Sequence, residues 1–215
     1  YWAAGELSRL FKENAGLGQK DPRQMIDKVT RDFTKIFEQS ANLKITDIPR
    51  EHHPIAAFAW IHFDPEANIL TTASLADCKA FATGTSGRLY QNTTTSDPDA
   101  ERKRDAQWAK QTGSTRLDRN SGFVKDKLIA KRRVYNSLDE GGSRVLGPDP
   151  RCAGHAQIDR IELGEDKVDH ILITSDGLMR LSDTFEEMTD EVLVEAALRD
   201  GLAYMVHKEL RPREE

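Results

Sequence analysis

Cysteine, aromatic side chains and long apolar runs are all scarce in this sequence. Aromatic residues make up 7% of the 215 residues, too few and too scattered for a platform that stacks nucleic-acid bases. The two cysteines, Cys78 and Cys152, lie far apart, without the CxxC or Cys/His spacing of a zinc site. We therefore predict neither a disulfide framework nor a zinc site, and we expect a reducing, cytoplasmic setting.

Excess positive charge and membrane signals are missing as well. The chain carries 31 Lys/Arg against 36 Asp/Glu, a formal charge of −5, so it has no general attraction for nucleic acid. No apolar run approaches the roughly 18–20 residues that cross a bilayer. Residues 1–6 lack the basic and apolar regions of a signal peptide. Neither a nucleic acid nor a membrane is expected as a partner.

Apolar spacing predicts helices near both ends of the chain. Residues 2–14 have apolar residues on one face, and Gly16-Leu17-Gly18 is expected to end that helix. Asp21-Pro22 supplies a cap and a first-turn proline for a helix over 22–40. Thr189 is expected to cap a helix that runs to about residue 210. Its predicted apolar stripe contains Val192, Leu193, Ala196, Ala197, Leu202 and Met205.

Between these helices the sequence predicts antiparallel strands. Residues 55–63 and 69–73 flank a five-residue loop and indicate a β-hairpin. A third strand, about 78–83, follows the corner at Ala76-Asp77. Strands over 156–163 and 169–174 are joined by a turn at 164–166.

Residues 99–133 differ from the remainder in charge. They contain eleven Lys/Arg and five Asp/Glu, a local charge of +6, and few apolar residues. One interpretation is a solvated helix-and-loop excursion. The other is a basic flap over an anionic ligand such as a phosphorylated peptide.

The apolar run at 171–174 stops at Ser175-Asp176-Gly177, which we expect to form a tight, glycine-backed corner. An acid held by a rigid sheet is suited to binding an ion or activating water. The alternative is an ordinary Asp-Gly turn with a capping role. His52-His53 is less promising as a ligand pair, because adjacent residues point to opposite faces of a strand and Pro54 follows. A solvated turn is predicted there.

Two segments resemble the metal-dependent serine/threonine protein phosphatases of type 2C, in a divergent, bacterial-type form. "ILTTASLADCKAFAT" (69–83) is similar to the family's strand–corner–strand, with Ala76-Asp77-Cys78-Lys79 where the family has Gly-Asp-Ser-Arg. "HILITSDGLMRLSD" (170–183) is similar to the strand that ends in the family's Ser-Asp-Gly. The segment "GGSRVLGPDP" and the late helix follow the family order, so the resemblance spans nearly the whole chain.

The resemblance implies one phosphatase-like domain over residues 1–215 with an α+β fold. Two packed antiparallel β-sheets would be flanked by helices in an α-β-β-α sandwich, with 99–133 as a basic, loop-rich insertion. The family's early Asp-Gly motif and its late Asp-Asn or Asp-Asp motif do not occur at the matching places. The first strands and the last strand are therefore expected to be lacking.

The resemblance also implies hydrolysis of phosphoserine and phosphothreonine on proteins, a signalling function. Family members use two Mn²⁺ or Mg²⁺ ions to activate the attacking water. Asp176 matches the family's second-metal aspartate, and Asp77 matches an aspartate that helps hold a third, weaker ion. Arg132 and Arg133 are candidate phosphate contacts. A phosphorylated protein would be the substrate.

The missing metal motifs leave a second function open. Residues 1–215 alone are expected to be inactive, although the full-length protein would be a protein phosphatase. The alternative is a catalytically silent, phosphatase-like regulatory module that binds a phosphopeptide or a partner protein.

Overall fold

The computed structural model describes residues 2–94, 98–113, 121–137, 143–183 and 187–211, except the side chains at 98, 100, 101, 176 and 183. These residues form helices and two antiparallel, three-stranded sheets, so the predicted α+β class is confirmed. The elements in chain order are α1 (Trp2–Glu13), α2 (Ala15–Lys20), α3 (Pro22–Ala41), β1 (Phe58–Asp64), β2 (Ile69–Leu75), β3 (Lys79–Gly84), β4 (Leu89–Gln91), α4 (Pro98–Gln111), α5 (Gly122–Arg133), α6 (Cys152–His155), β5 (Gln157–Glu162), β6 (Val168–Thr174), α7 (Asp176–Asp183), α8 (Asp190–Asp200) and α9 (Leu202–Tyr204).

Helix α3 begins and ends where its local sequence dictates. The Asp21 side chain accepts hydrogen bonds from the backbone N–H groups of Arg23 and Gln24. Pro22 occupies the first helical position, where no backbone donor is needed. Asn42, at φ 52°, closes the helix in the left-handed conformation. The helix predicted over 22–40 is confirmed.

The prediction for the first turns of the chain is half right. Helix α1 matches the predicted segment, but Gly16-Leu17-Gly18 lies inside α2 and does not end the helical region. A Cβ on Gly18 would lie 2.4 Å from the Met25 sulfur. The absence of a side chain at Gly18 therefore lets α2 and α3 pack closely at this position.

The strands form two sheets, in the orders β1-β2-β5 and β4-β3-β6. The predicted hairpin is confirmed, since β1 and β2 pair from Phe58↔Leu75 to Asp64↔Ile69. Its first strand begins at Phe58, three residues later than predicted, and Ala56 instead makes a single bridge with Leu146. Strand β4 was not predicted, because three residues are too short for a periodic pattern.

Three groups of buried side chains define the layers. One packs α1, α3 and α6 on the β1-β2-β5 sheet, and another packs α7 and α8 on the β4-β3-β6 sheet. The third contains Leu70 of β2 and Ala82 of β3, so it lies between the sheets. Phe33 and Leu193 are fully buried in the two helical layers. Burial of a large apolar side chain contributes roughly 1.5–3 kcal/mol each.

The late helix is shorter than predicted. Thr189 caps α8 as expected, because its hydroxyl accepts a hydrogen bond from the Val192 N–H group. Gly201, at φ 86°, then interrupts the helix, and the chain continues as α9 and a π-helical segment, Met205–Leu210. Val192 is 50% exposed and Leu202 is 48% exposed, so the prediction that they belong to the apolar stripe is wrong.

The basic middle segment is helical where the structure describes it. Helices α4 and α5 lie in it, and residues 114–120 between them are outside the described part. Arg104 pairs with the adjacent Asp105, and Ala109 and Val124 are buried. The prediction of helices in this segment is confirmed, whereas its function as a basic flap stays a prediction.

Candidate functional site

The candidate site lies at the corner between β2 and β3, where the chain passes from one sheet to the other. Leu75 ends β2, Lys79 begins β3, and the half-buried Asp77 lies between them. Ala76 has φ 65°, a left-handed conformation that costs a residue with a Cβ roughly 1–2 kcal/mol. The corner is therefore strained locally and depends on its neighbours to hold it.

Strand pairing brings Asp77 and Asp176 to the same end of the second sheet. The last pair between β3 and β6 is Lys79↔Thr174. Asp77 comes two residues before this pair and Asp176 two residues after it, so both positions lie at this end of the sheet. The Asp176 side chain itself lies outside the described part of the structure.

The corner predicted at Ser175-Asp176-Gly177 is wrong in one respect, because Asp176 begins α7 directly after β6. The backbone N–H group of Met179 donates to the Ser175 carbonyl oxygen at 3.4 Å. Gly177 is therefore helical rather than part of a tight turn. The first turn of α7 presents its residues at the sheet end, beside the β2–β3 corner.

Asn92 clamps the corner, and sequence reasoning did not identify it. Its side chain is 5% exposed, and its Oδ1 accepts a hydrogen bond from the Ala80 N–H group at 2.6 Å. Its Nδ2 donates to the Cys78 carbonyl oxygen at 3.3 Å. One amide thus fixes the backbone on the β3 side of Asp77, in the manner of a residue that supports a site from behind.

An ion pair ties the corner to the helices. Lys79 Nζ lies 2.9 Å from Asp190 Oδ2, and the two side chains are 14% and 17% exposed. The Ser182 hydroxyl donates to Asp190 Oδ1 at 2.5 Å. Strand β3, α7 and α8 are therefore joined through Asp190, close to the end of the sheet that carries Asp77.

A second polar cluster joins the two sheets at this end. Asp159 of β5 accepts hydrogen bonds from the Thr93 N–H group at 2.7 Å and from its hydroxyl at 3.0 Å. The Ser74 hydroxyl donates to the Thr93 carbonyl oxygen at 2.6 Å. Thr93 follows β4 of the second sheet, whereas Asp159 and Ser74 belong to the first. The distance between the sheets is thereby fixed where they meet the corner.

Arg132 and Arg133, the predicted phosphate contacts, lie at the end of α5 against the segment that leads into β1. Arg132 Nη2 donates to the His53 carbonyl oxygen at 2.8 Å. Arg133 Nε donates to Glu51 Oε1 at 2.9 Å. Within the described residues Arg132 Nε is buried without a hydrogen-bond partner. Both guanidinium groups thus bind protein groups, and their contact with phosphate stays a prediction.

His53 is not in a solvated turn, so that prediction is wrong for this residue. It is 3% exposed, while its neighbour His52 faces solvent. Its Nδ1 lies 2.6 Å from the Tyr135 hydroxyl, and its Nε2 lies 3.0 Å from the Ile48 carbonyl oxygen. The partner residue comes from 82 positions later in the chain, which no local pattern reveals.

The carboxylates described at the corner do not by themselves form a metal site. Among the described residues, no three or more His, Cys, Asp or Glu side chains come together as metal ligands would. Asp77 supplies one carboxylate of the kind that Mn²⁺ and Mg²⁺ prefer. The two-ion centre therefore stays a prediction. Cys152 offers no reactive thiol either, because burial raises its pKa to about 11.

No protein-family model, curated protein or solved structure matches this chain. In the parts of the chain that the structure describes, none of the helices combines the length and apolarity needed to cross a membrane.

Proposed function

We propose that this chain is a phosphatase-like domain of the type 2C kind, and that the full-length protein hydrolyses phosphoserine and phosphothreonine on proteins with Mn²⁺ or Mg²⁺. The observation that supports the proposal is that the β2–β3 corner with Asp77 and the start of α7 with Asp176 lie at the same end of the second sheet. The Lys79↔Thr174 pair places them there although they are far apart in sequence.

The layered fold supports the same proposal. Helices cover the outer face of each sheet, and the Leu70 and Ala82 cluster packs the sheets on each other. The sandwich holds the β2–β3 corner by the Asn92 clamp and the Asp159 bridge. Rigid support of this kind is what a site needs when its carboxylates must keep their positions.

The proposal is tested with p-nitrophenyl phosphate, Mn²⁺ and the full-length protein that contains this chain. Asp176→Asn should remove most of the activity, because an amide is a weaker ligand and carries no charge. Asp77→Asn should raise the Mn²⁺ concentration needed for half-maximal rate. Asp169→Asn is the control, since this exposed residue lies on the same strand, away from the corner. Activity that survives both Asp176→Asn and chelation of the metal would overturn the proposal.

Residues 1–215 alone give a second measurement. We expect them to be inactive or nearly so, because the carboxylates at the described corner are too few for a two-ion centre. Tight binding of two Mn²⁺ ions by this chain would show that its metal ligands lie elsewhere than assigned. Equilibrium dialysis against Mn²⁺ measures the number of ions bound without relying on activity.

A catalytically silent binding module is the second candidate, and the same small number of described metal ligands favours it. In that case Arg132 and Arg133 would contact the phosphate of a peptide that is held and not cleaved. Fluorescence anisotropy of a labelled phosphopeptide in EDTA separates the two functions. Binding that disappears when both arginines are replaced, with no phosphate released in Mn²⁺, would support the module over the enzyme.

A further inference from the structure

His53 lies at the centre of a buried connection between the segment before β1 and the end of α5. The contacts run from Ile48–His53 on one side to Arg132–Tyr135 on the other. Arg50 Nε donates to the Arg133 carbonyl oxygen at 2.9 Å, and its guanidinium carbon lies 4.2 Å from the centre of the Tyr135 ring. Two segments far apart in sequence are thus held together by hydrogen bonds, most of them shielded from water.

The geometry determines where the proton of His53 lies. A carbonyl oxygen can only accept, so Nε2 carries the hydrogen that it donates to Ile48. Nδ1 is then the acceptor, and the Tyr135 hydroxyl is its donor. Burial raises the pKa of Tyr135 to about 12, which keeps the hydroxyl proton available for this bond. The hydrogen bonds as built are those of a neutral His53, because a protonated Nδ1 could bond to Tyr135 only if the hydroxyl turned its proton away and became the acceptor.

The surroundings of His53 disfavour a positive charge. Arg132 donates to its carbonyl oxygen, and Arg50 lies on the same side of the connection. Asp149 is the facing carboxylate, and it already binds both Arg50 and Arg151. The remaining ring neighbour is Phe37 of α3, with its centroid 6.2 Å away. Burial, with Arg50 adding to it, holds the pKa of His53 below its ordinary value.

We propose that His53 and Tyr135 form a pH-sensitive latch, in which protonation of His53 releases the end of α5 from the segment Ile48–His53. A second ring N–H would face the Tyr135 oxygen and displace the proton donated to Nδ1. Among the described residues, the inserted charge would also lie near two arginines, and the nearby Asp149 carboxylate already binds Arg50 and Arg151. Release frees Arg132 and Arg133 for other partners. The latch rests on these contacts alone and holds whether or not the chain is a phosphatase.

The sign of the effect follows from the direction of the pKa change. The pKa of an unfolded or released His53 is about 6.5, which is higher than the pKa of His53 in the closed latch. The closed form is therefore fully favoured above about pH 6.5, and it loses stability as the pH falls through the folded pKa. Each unit between the two pKa values weakens the latch by up to about tenfold.

The test follows His53 and the end of α5 separately in residues 1–215. Proton–carbon NMR follows the His53 ring signal, which is identified because it disappears in His53→Gln. We expect this signal to titrate with a midpoint below about pH 6.5. Amide exchange at 133–137, corrected for its intrinsic pH dependence, should be faster at pH 5.5 than at pH 7.5, by up to about tenfold. The His52→Gln control should keep this pH effect, because His52 is exposed.

Tyr135→Phe tests the latch without removing the histidine. The ring and its packing with Arg50 remain, but the hydroxyl that stabilises neutral His53 is gone, so the His53 midpoint should rise. The same variant answers the question if His53→Gln does not fold. A wild-type midpoint at or above about 6.5, or exchange at 133–137 that is equal at the two pH values, overturns the proposal.

Discussion

Removal of the Asp190 carboxylate should destabilise the corner, because the largely buried ion pair between Lys79 and Asp190 would be lost. The two side chains are 14% and 17% exposed, and their charged atoms lie 2.9 Å apart. Asp190→Ala leaves the Lys79 ammonium partly buried beside β3 and also removes the acceptor of the Ser182 hydroxyl. Both losses fall where β3, α7 and α8 meet.

The expected loss of unfolding free energy can be estimated from how deeply Lys79 and Asp190 are buried. Removal of one partner of a fully buried pair typically costs about 3–5 kcal/mol. Because Lys79 and Asp190 keep some exposure, water compensates part of that loss. We therefore expect Asp190→Ala to lower the free energy of unfolding by about 2–4 kcal/mol. Replacement of both partners, as Lys79→Met with Asp190→Ala, should cost less than Asp190→Ala alone, because the double substitution also removes the Lys79 charge that Asp190 balances.

Urea unfolding at pH 7 measures these free energies, and Asp200→Ala is a matched control. Asp200 pairs with Arg199 at 2.7 Å, but these side chains are 30% and 65% exposed. Exposed pairs contribute about 0–1 kcal/mol. If Asp190→Ala costs no more than Asp200→Ala, the argument from burial is refuted. Equal costs for the single and double substitutions would refute the argument that the Lys79 charge causes part of the loss.

Three further effects should be measurable. Asn92→Ala should lower the free energy of unfolding by about 1–3 kcal/mol, because backbone groups of the corner lose their hydrogen-bond partner. The control Asn136→Ala removes a similar pair of hydrogen bonds to Val145. It should lower the free energy of unfolding by a similar amount without changing the NMR signals of Asp77. Ser86 and Thr85 hold the pKa of Asp166 well below its usual range, so its stabilisation is present above about pH 4 and lost at lower pH. Asp166→Asn should flatten the dependence of unfolding free energy on pH between about 5 and 2. Gly84→Ala should lower Tm more than Gly122→Ala, because its Cβ would lie 1.9 Å from Asp166 Oδ2 whereas space around Gly122 is open.

Elements with local determinants could be predicted from the sequence. The start of α3 follows from Pro22 and from Asp21, whose side-chain hydrogen bonds reach no further than three residues along the chain. Strands β2, β3 and β6 show up as apolar runs with turn residues beside them. The exposed Val192 was assigned to the stripe because helical periodicity indicates a face without fixing how wide the buried part is.

Contacts between distant residues could not be predicted in this way. Lys79 and Asp190 are separated by 111 positions, and nothing in either local sequence marks the other as its partner. Asn92 was overlooked because a buried clamp and an ordinary loop asparagine look the same in sequence. The assignment of Asp77 and Asp176 to a metal site came from the resemblance and stays a prediction, whereas the residues that hold the corner in place emerged from the structure alone.

The strand order also constrains how the chain can fold during synthesis. Each sheet takes its third strand from the later half, and a side-chain contact such as Thr72 with Asp159 spans 87 residues. Until β5 and β6 leave the ribosome, β1 with β2 and β3 with β4 are two-stranded hairpins, which are marginally stable in water. Closure of such long loops is slow, and open strand edges are exposed meanwhile.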